Sequence, residues 1–222
     1  MTGTVAEAAE ARKGPLWTRA RLQRVLRLRF GVSARGRVDV EAVAQAMGVT
    51  TRTVQRWLAG SSGRSVAHIP PRRLQQLIAL LLPSEETLRD EARAAEYARN
   101  AISQLGLGRN RGILPSWEKR RWLENHLVAV IAIKDAGIRQ LAVTRTSAKA
   151  SEQLGKRGRV VDFVVVPTRF HATVLTHAVL TELGPWRFRA LPGTVKQAPT
   201  LSWLDDAPAT NLSATMTRAQ LR

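Results

Sequence analysis

The chain reads as an α+β protein: an all-α N-terminal part, then a small mixed α/β domain on a three- to four-stranded sheet. Three observations predict this class. Up to about residue 105, apolar residues recur every three or four positions, the period of a helix packed on one side. Beyond residue 112 that period gives way to the continuous apolar runs Leu127–Ile133 and Val160–Val166 and to two alternating stretches, the signatures of strands. Between the two regimes lies Gly106-Leu-Gly-Arg-Asn-Arg-Gly112, a stretch suited to a linker. The expected organisation is an arm at 1–14, a helical domain at 15–105, a linker at 106–112, a basic mixed domain at 113–192 and a loose tail at 193–222, in which Trp203 and Leu204 can dock.

A first helix is expected from about Pro15 to Phe30, since proline suits the first turn. Leu22, Val25, Leu26 and Phe30 form its apolar stripe, while Arg19, Arg21, Arg24, Arg27 and Arg29 fill most of the rest. Gly31 ends it, and 31–38 is a loop carrying Arg35 and Arg37. Asp39 caps the next helix, whose positions Ala42, Val43, Ala46 and Met47 share one face. Gly48 fits a left-handed C-terminal position, and the Thr50 hydroxyl can accept a free N–H of the following helix. With Val49, Val54 and Trp57 turned inward, Thr51, Arg52, Gln55 and Arg56 are left on the outer face. Arginine can bond guanine O6 and N7 together, glutamine can pair with adenine, and a threonine methyl can touch thymine.

Residues 40–59 resemble the helix-turn-helix of phage-repressor-like bacterial DNA-binding proteins. The small residue of the family's first helix matches Ala44, its turn glycine matches Gly48, and its inward apolar positions match Val49, Val54 and Trp57. The resemblance implies that the second helix enters a major groove and reads bases with its N-terminal half. It makes Thr51, Arg52, Gln55 and Arg56 the expected base-reading residues.

After the basic loop at 60–65, which carries Arg64, Pro70-Pro71 starts a helix with Leu74, Leu77, Ile78, Leu81 and Leu82 on one face. Pro83 stops it, and Ser84 caps a long helix reaching about Leu105 with the weak stripe Leu88, Ala92, Ala95, Ala98 and Ile102. In the second half, Ser116 caps a short helix from Trp117 to Asn125. Strands are expected at Leu127–Ile133 and Ile138–Arg145 around the turn Lys134–Gly137. A helix at Ser147–Leu154 precedes a basic turn at 155–159 and a buried strand at Val160–Val166. An amphipathic helix from Thr168 to Leu183 and a last strand at Trp186–Leu191 complete the order, with the helices expected on one side of the sheet.

Composition narrows the function classes. The 222 residues include 35 Lys+Arg against 17 Asp+Glu, a net charge of +18 and a pI near 11.7. Such a field favours polyanions, nucleic acid first. Both halves are basic, 19 basic to 9 acidic residues up to position 112 and 16 to 8 after it. There is no cysteine, which excludes disulfides, thiolate zinc sites and a cysteine nucleophile. The N-terminus lacks a secretory pattern, and no apolar run is long enough to span a bilayer. Asp135, Glu152, Asp162 and Glu182 are scattered one to an element. His171 and His177 fall on different faces of a helix, and Tyr97 has no recombinase-like surroundings. No phosphate-cradling loop or dinucleotide fingerprint occurs.

The charge and the exposed Arg/Gln set predict sequence-specific binding of double-stranded DNA, and the resemblance to phage-type repressors implies a non-enzymatic transcriptional repressor of the kind that confers phage or mobile-element immunity. It needs no cofactor, metal or membrane, and its setting is the cytoplasm, on the nucleoid. Expected backbone contacts are Arg19, Arg24, Arg35, Arg37, Thr50 and Arg64. A second surface would add Arg120, Arg121, Lys156, Arg157 and Arg159, with the 187–189 cluster beside it. A monomer using both halves and a homodimer both fit. The alternatives are a plasmid or phage replication or partition protein, and a DNA-processing enzyme with its active part in 113–200.

Overall fold

The computed structural model describes residues 17–59, 69–106, 113–133, 136–190 and 200–221. The 1–14 arm, Arg64 and the 107–112 part of the expected linker lie outside the described residues. Helix and sheet are mixed, and the class is α+β.

The N-terminal helices are α1 (Arg19–Phe30), α2 (Val40–Met47), α3 (Thr51–Leu58), α4 (Pro71–Leu81) and the long α5 (Glu85–Gly106). Local chemistry sets their ends. Thr18 caps α1 by accepting from the Arg21 amide, Asp39 caps α2 by accepting from Glu41 and Ala42, and Thr50 caps α3 by accepting from Thr53. Gly48 ends α2 at φ +60°, ψ +40°, a left-handed conformation that glycine adopts without a Cβ clash. The chain 31–38 folds back on itself through a Val32–Val38 bridge, with Arg35 and Arg37 exposed on it.

The second half contains α6 (Pro115–Lys119), β1 (His126–Ile133), β2 (Ile138–Arg145), α7 (Ala148–Arg157), β3 (Gly158–Val166), α8 (Arg169–Glu182), a 3₁₀ turn (Gly184–Trp186), β4 (Arg187–Phe188), β5 (Ser202–Leu204) and α9 (Leu212–Arg218). All pairings are antiparallel, in the order β3-β1-β2-β5-β4.

Several expectations are corrected. The sheet has five strands, because β5 comes from the segment read as a loose tail. Trp203 and Leu212 of that segment are fully buried. Helices cover both faces of the sheet. Helix α8 packs on Val128, Val130, Val164 and Val166, while Leu154 of α7 packs on Leu127, Ala129, Ile131 and Ala142. The expected basic turn at 155–159 does not exist as such, since α7 runs through Gly155 to Arg157 and β3 begins at Gly158. Strand β3 is an edge strand rather than a buried one: Val161, Phe163 and Val165 are exposed. Its apolar content alone does not separate a central strand from an edge.

Nor do the apolar clusters divide at 106–112. Helices α1 to α4 share one cluster with Ile138, Phe188, Ala190 and Leu204 of the sheet. Helix α5 belongs to the other cluster, where Ala98 and Ala101 lie with Leu175 and Val179 of α8. The alanine stripe, weak as a dimer seam, lets α5 and α8 approach closely. The change of partner comes at Pro83 and Ser84, between α4 and α5.

Candidate nucleic-acid interface

Helix α3 is fixed by its inward side. Val54 and Trp57 are buried against Val43, Ala44 and Met47 of α2 and Leu22, Val25 and Leu26 of α1. The amide of Val49 donates to the Ala44 carbonyl at 3.0 Å, which sets the angle at which α3 leaves the turn. That phase leaves Thr51, Arg52, Gln55 and Arg56 exposed, and their side chains make no hydrogen bond or ion pair with the described residues. At 1.5 Å per residue the four span about 7.5 Å of helix axis on one face, within the width of a major groove.

Thr50 is also exposed, but its hydroxyl is used within the protein, accepting from the Thr53 amide and lying 3.0 Å from the Thr53 hydroxyl. Sequence reasoning missed Arg73. Together with Val49, Thr53, Arg56, Trp57 and Pro70 it lines an open groove beside α3. A signal was present: Arg72 and Arg73 sit in the first turn of α4, which holds no acidic residue, although the helix dipole disfavours cations there. Both are exposed.

Of the α1 arginines expected to form a backbone-binding face, Arg19, Arg21 and Arg24 are engaged within the molecule, while Arg27 is exposed. Arg19 donates to the carbonyl of Leu58 at the C-terminal end of α3. Arg21 is buried, ion-paired with Asp206, and stacks over Trp17 at 5.5 Å and Trp186 at 5.1 Å. Arg24 pairs with Asp205 at 2.9 Å and donates to the Gly137 carbonyl at 2.5 Å. Gly137, at φ +57°, has no Cβ, and one there would collide with the Arg24 guanidinium. These contacts tie α1 to the far end of the chain. Arg24→Gln is therefore expected to leave the salt slope of DNA binding unchanged while lowering stability by about 1 kcal/mol, as befits a half-exposed pair. A slope reduced by about one unit would return Arg24 to the interface.

The residues expected to form a second basic surface fall into two groups. Arg120 stacks on Trp122 at 5.1 Å, and Arg121 lies 3.7 Å from Glu124, at the His126 end of β1. Lys156 pairs with Glu152 at 2.6 Å, and Arg157 donates to Gln140 at 2.5 Å. These two and the exposed Arg159 lie at the Ile133 end of β1, since Gly158 pairs with Ile133 and Arg159 with Ala132. The eight residues of β1 separate the two groups by about 23 Å. Only the 156–159 group shares its end of the sheet with helices α1 to α4. In the 187–189 cluster, Arg187 is buried in an ion pair with Glu91.

The other residues singled out for chemistry have structural roles. The Asp162 carboxylate accepts from the Leu212 amide at the start of α9. His171 lies with its Nδ1 2.8 Å from the Thr168 hydroxyl, and burial lowers its pKa as it does that of His177. Tyr97 accepts from the Trp117 indole at 3.0 Å. Among the described residues no three His, Asp or Glu side chains cluster as a metal site, and no helix is long and apolar enough to cross a membrane. No protein-family model, curated protein or solved structure matches the chain.

Proposed function

We propose that the chain is a sequence-specific double-stranded DNA-binding protein, acting as a transcriptional repressor through a helix-turn-helix formed by α2 and α3. One observation carries the reading: Thr51, Arg52, Gln55 and Arg56 project together from a helix seated by Val54 and Trp57, and their side chains make no hydrogen bond or ion pair among the described residues. A long, charged or amide side chain with no internal partner, held on a packed element, is preorganised for an external one. Arg52 and Arg56 supply the fork geometry for guanine, and Gln55 supplies the paired donor and acceptor for adenine. The surplus of 35 basic over 17 acidic residues adds a sequence-independent attraction to phosphate. Arg72 and Arg73 beside α3, and Arg35 and Arg37 on the 31–38 turn, are the proposed backbone contacts, and Lys156 and Arg159 extend them. Repression would be steric: the protein occupies an operator and excludes polymerase. A phage or mobile-element immunity repressor is the setting that the resemblance suggests.

Arg56→Ala and Gln55→Ala are each expected to cost about 1–3 kcal/mol on the preferred site and to relax base preference at one or two positions. Titrating each variant against the preferred duplex and a scrambled one measures both effects. Equal losses on the two duplexes would mean phosphate contacts and a different reading element.

A further inference from the structure

Strand β5 pairs with Ile138, Arg139 and Gln140, and the Leu141 amide donates to the Leu201 carbonyl at 3.0 Å, whereas among the described residues nothing pairs on that side with the rest of β2, which continues to Arg145. The difference in length leaves a notch beside the second half of β2. Helices α5 and α8 close it from one side and the C-terminal end of α7 from the other, around a cavity of about 230 Å³. Leu141, Leu180 and Leu201 give it apolar walls, and Arg157, Arg169 and Thr176 are among its polar ones.

The polar groups of this cavity are unbalanced. The Arg169 guanidinium makes no hydrogen bond or ion pair with the described residues, and burial lowers its pKa. The Thr176 hydroxyl is shielded from solvent and has no hydrogen-bond partner. Arg157, anchored on Gln140, brings a second positive charge. Among the described residues the one carboxylate lining the cavity, Glu91, already gives both oxygens to Arg187, at 2.9 and 2.7 Å. A cavity with apolar walls, two guanidinium groups and an unpartnered hydroxyl, whose lining carboxylate is already engaged, has the character of a ligand site for an anion.

We propose that this notch binds a small organic anion, a carboxylate or phosphate monoester carrying one compact apolar group, with Arg169 meeting the acidic head and the leucine walls meeting the body. The apolar walls set it apart from a contact to the DNA backbone, which would leave them unfilled.

Calorimetric titration of the full chain with phenyl phosphate, benzoate and benzyl alcohol tests this. Phenyl phosphate or benzoate is expected to bind saturably at one site, and benzyl alcohol at least ten-fold more weakly. Arg169→Gln removes the charge. Ala94→Leu, on an exposed position of α5 that lines the cavity, fills the space without touching the core. Each variant is expected to weaken phenyl phosphate at least ten-fold while leaving DNA affinity within two-fold. Binding that neither variant changes would overturn the proposal, as would benzyl alcohol binding equal to that of the anions. So would inorganic phosphate binding alike to the wild type and Arg169→Gln, which would mean an adventitious ion only. A variant Arg169→Gln that loses DNA affinity but keeps phenyl phosphate would assign the guanidinium to the DNA backbone instead. DNA binding is the readout of the repressor reading, and anion binding is independent of it, so the two fail separately.

Discussion

Arg187→Ala is expected to destabilise the protein by about 3–5 kcal/mol, the usual effect of removing one partner of a buried ion pair. The Arg187 side chain is 3% exposed and Glu91 is 18% exposed. Two hydrogen bonds to the carboxylate and one to the Thr200 carbonyl at 3.0 Å hold the guanidinium between β4 and α5. Truncation strands the Glu91 carboxylate in a site that excludes much of the water. The pair also bridges the two apolar clusters, since Phe188 of β4 packs with α1 to α4 while α5 packs on α8. Urea denaturation measures the effect, and a thermal midpoint lowered by about 2–4 °C per kcal/mol is the parallel readout. The double variant Arg187→Met with Glu91→Gln is expected to lose less than the single truncation, because no charge remains uncompensated. A loss below about 1 kcal/mol for Arg187→Ala would mean that the pair is solvated in solution.

Trp203→Ala is expected to cost a similar amount, about 3–5 kcal/mol, by leaving a cavity that its neighbours only partly fill. Trp203 has no exposed surface and lies in the main apolar cluster, on a strand that pairs with β2 on one side and β4 on the other. Its loss weakens the only link between β4 and the rest of the sheet among the described residues. A cost under about 0.5 kcal/mol, the range of exposed positions, would restore the view of residues 193–222 as a loose tail.

The reach of the sequence follows from the range of the forces involved. Local rules were largely readable: Asp39, Thr50 and Ser84 each cap the helix expected of them and Gly48 adopts the expected left-handed conformation, whereas Ser116, expected as a cap, lies inside α6, which starts at Pro115 without a side-chain cap. The outward set on α3 was readable for the same reason, because Val54 and Trp57 fix the phase of the helix and the phase fixes what is left outside. Long-range pairings were not readable. A helix face carrying Arg19, Arg21 and Arg24 looks solvated until Asp205 and Asp206, over 180 residues away, are seen to meet it. The short strand Ser202–Leu204 has too few residues to show a period. Its burial is decided by β2 and β4, not by its own composition. Phe163 and its valine neighbours read as core because hydrophobicity reports a preference for burial, whereas the place of β3 at the sheet edge is a matter of topology.

The measurement that bears most directly on the central claim is selection of bound duplexes from a random pool, followed by titration of the best sequence and a scrambled one at the same salt. Base reading by α3 predicts a defined motif bound at least a thousand-fold more tightly than the scrambled duplex. It also predicts that motif positions blur one by one when Arg52, Gln55 and Arg56 are replaced singly by alanine. Equal affinity for the selected and scrambled duplexes, or a motif untouched by all three replacements, would contradict it.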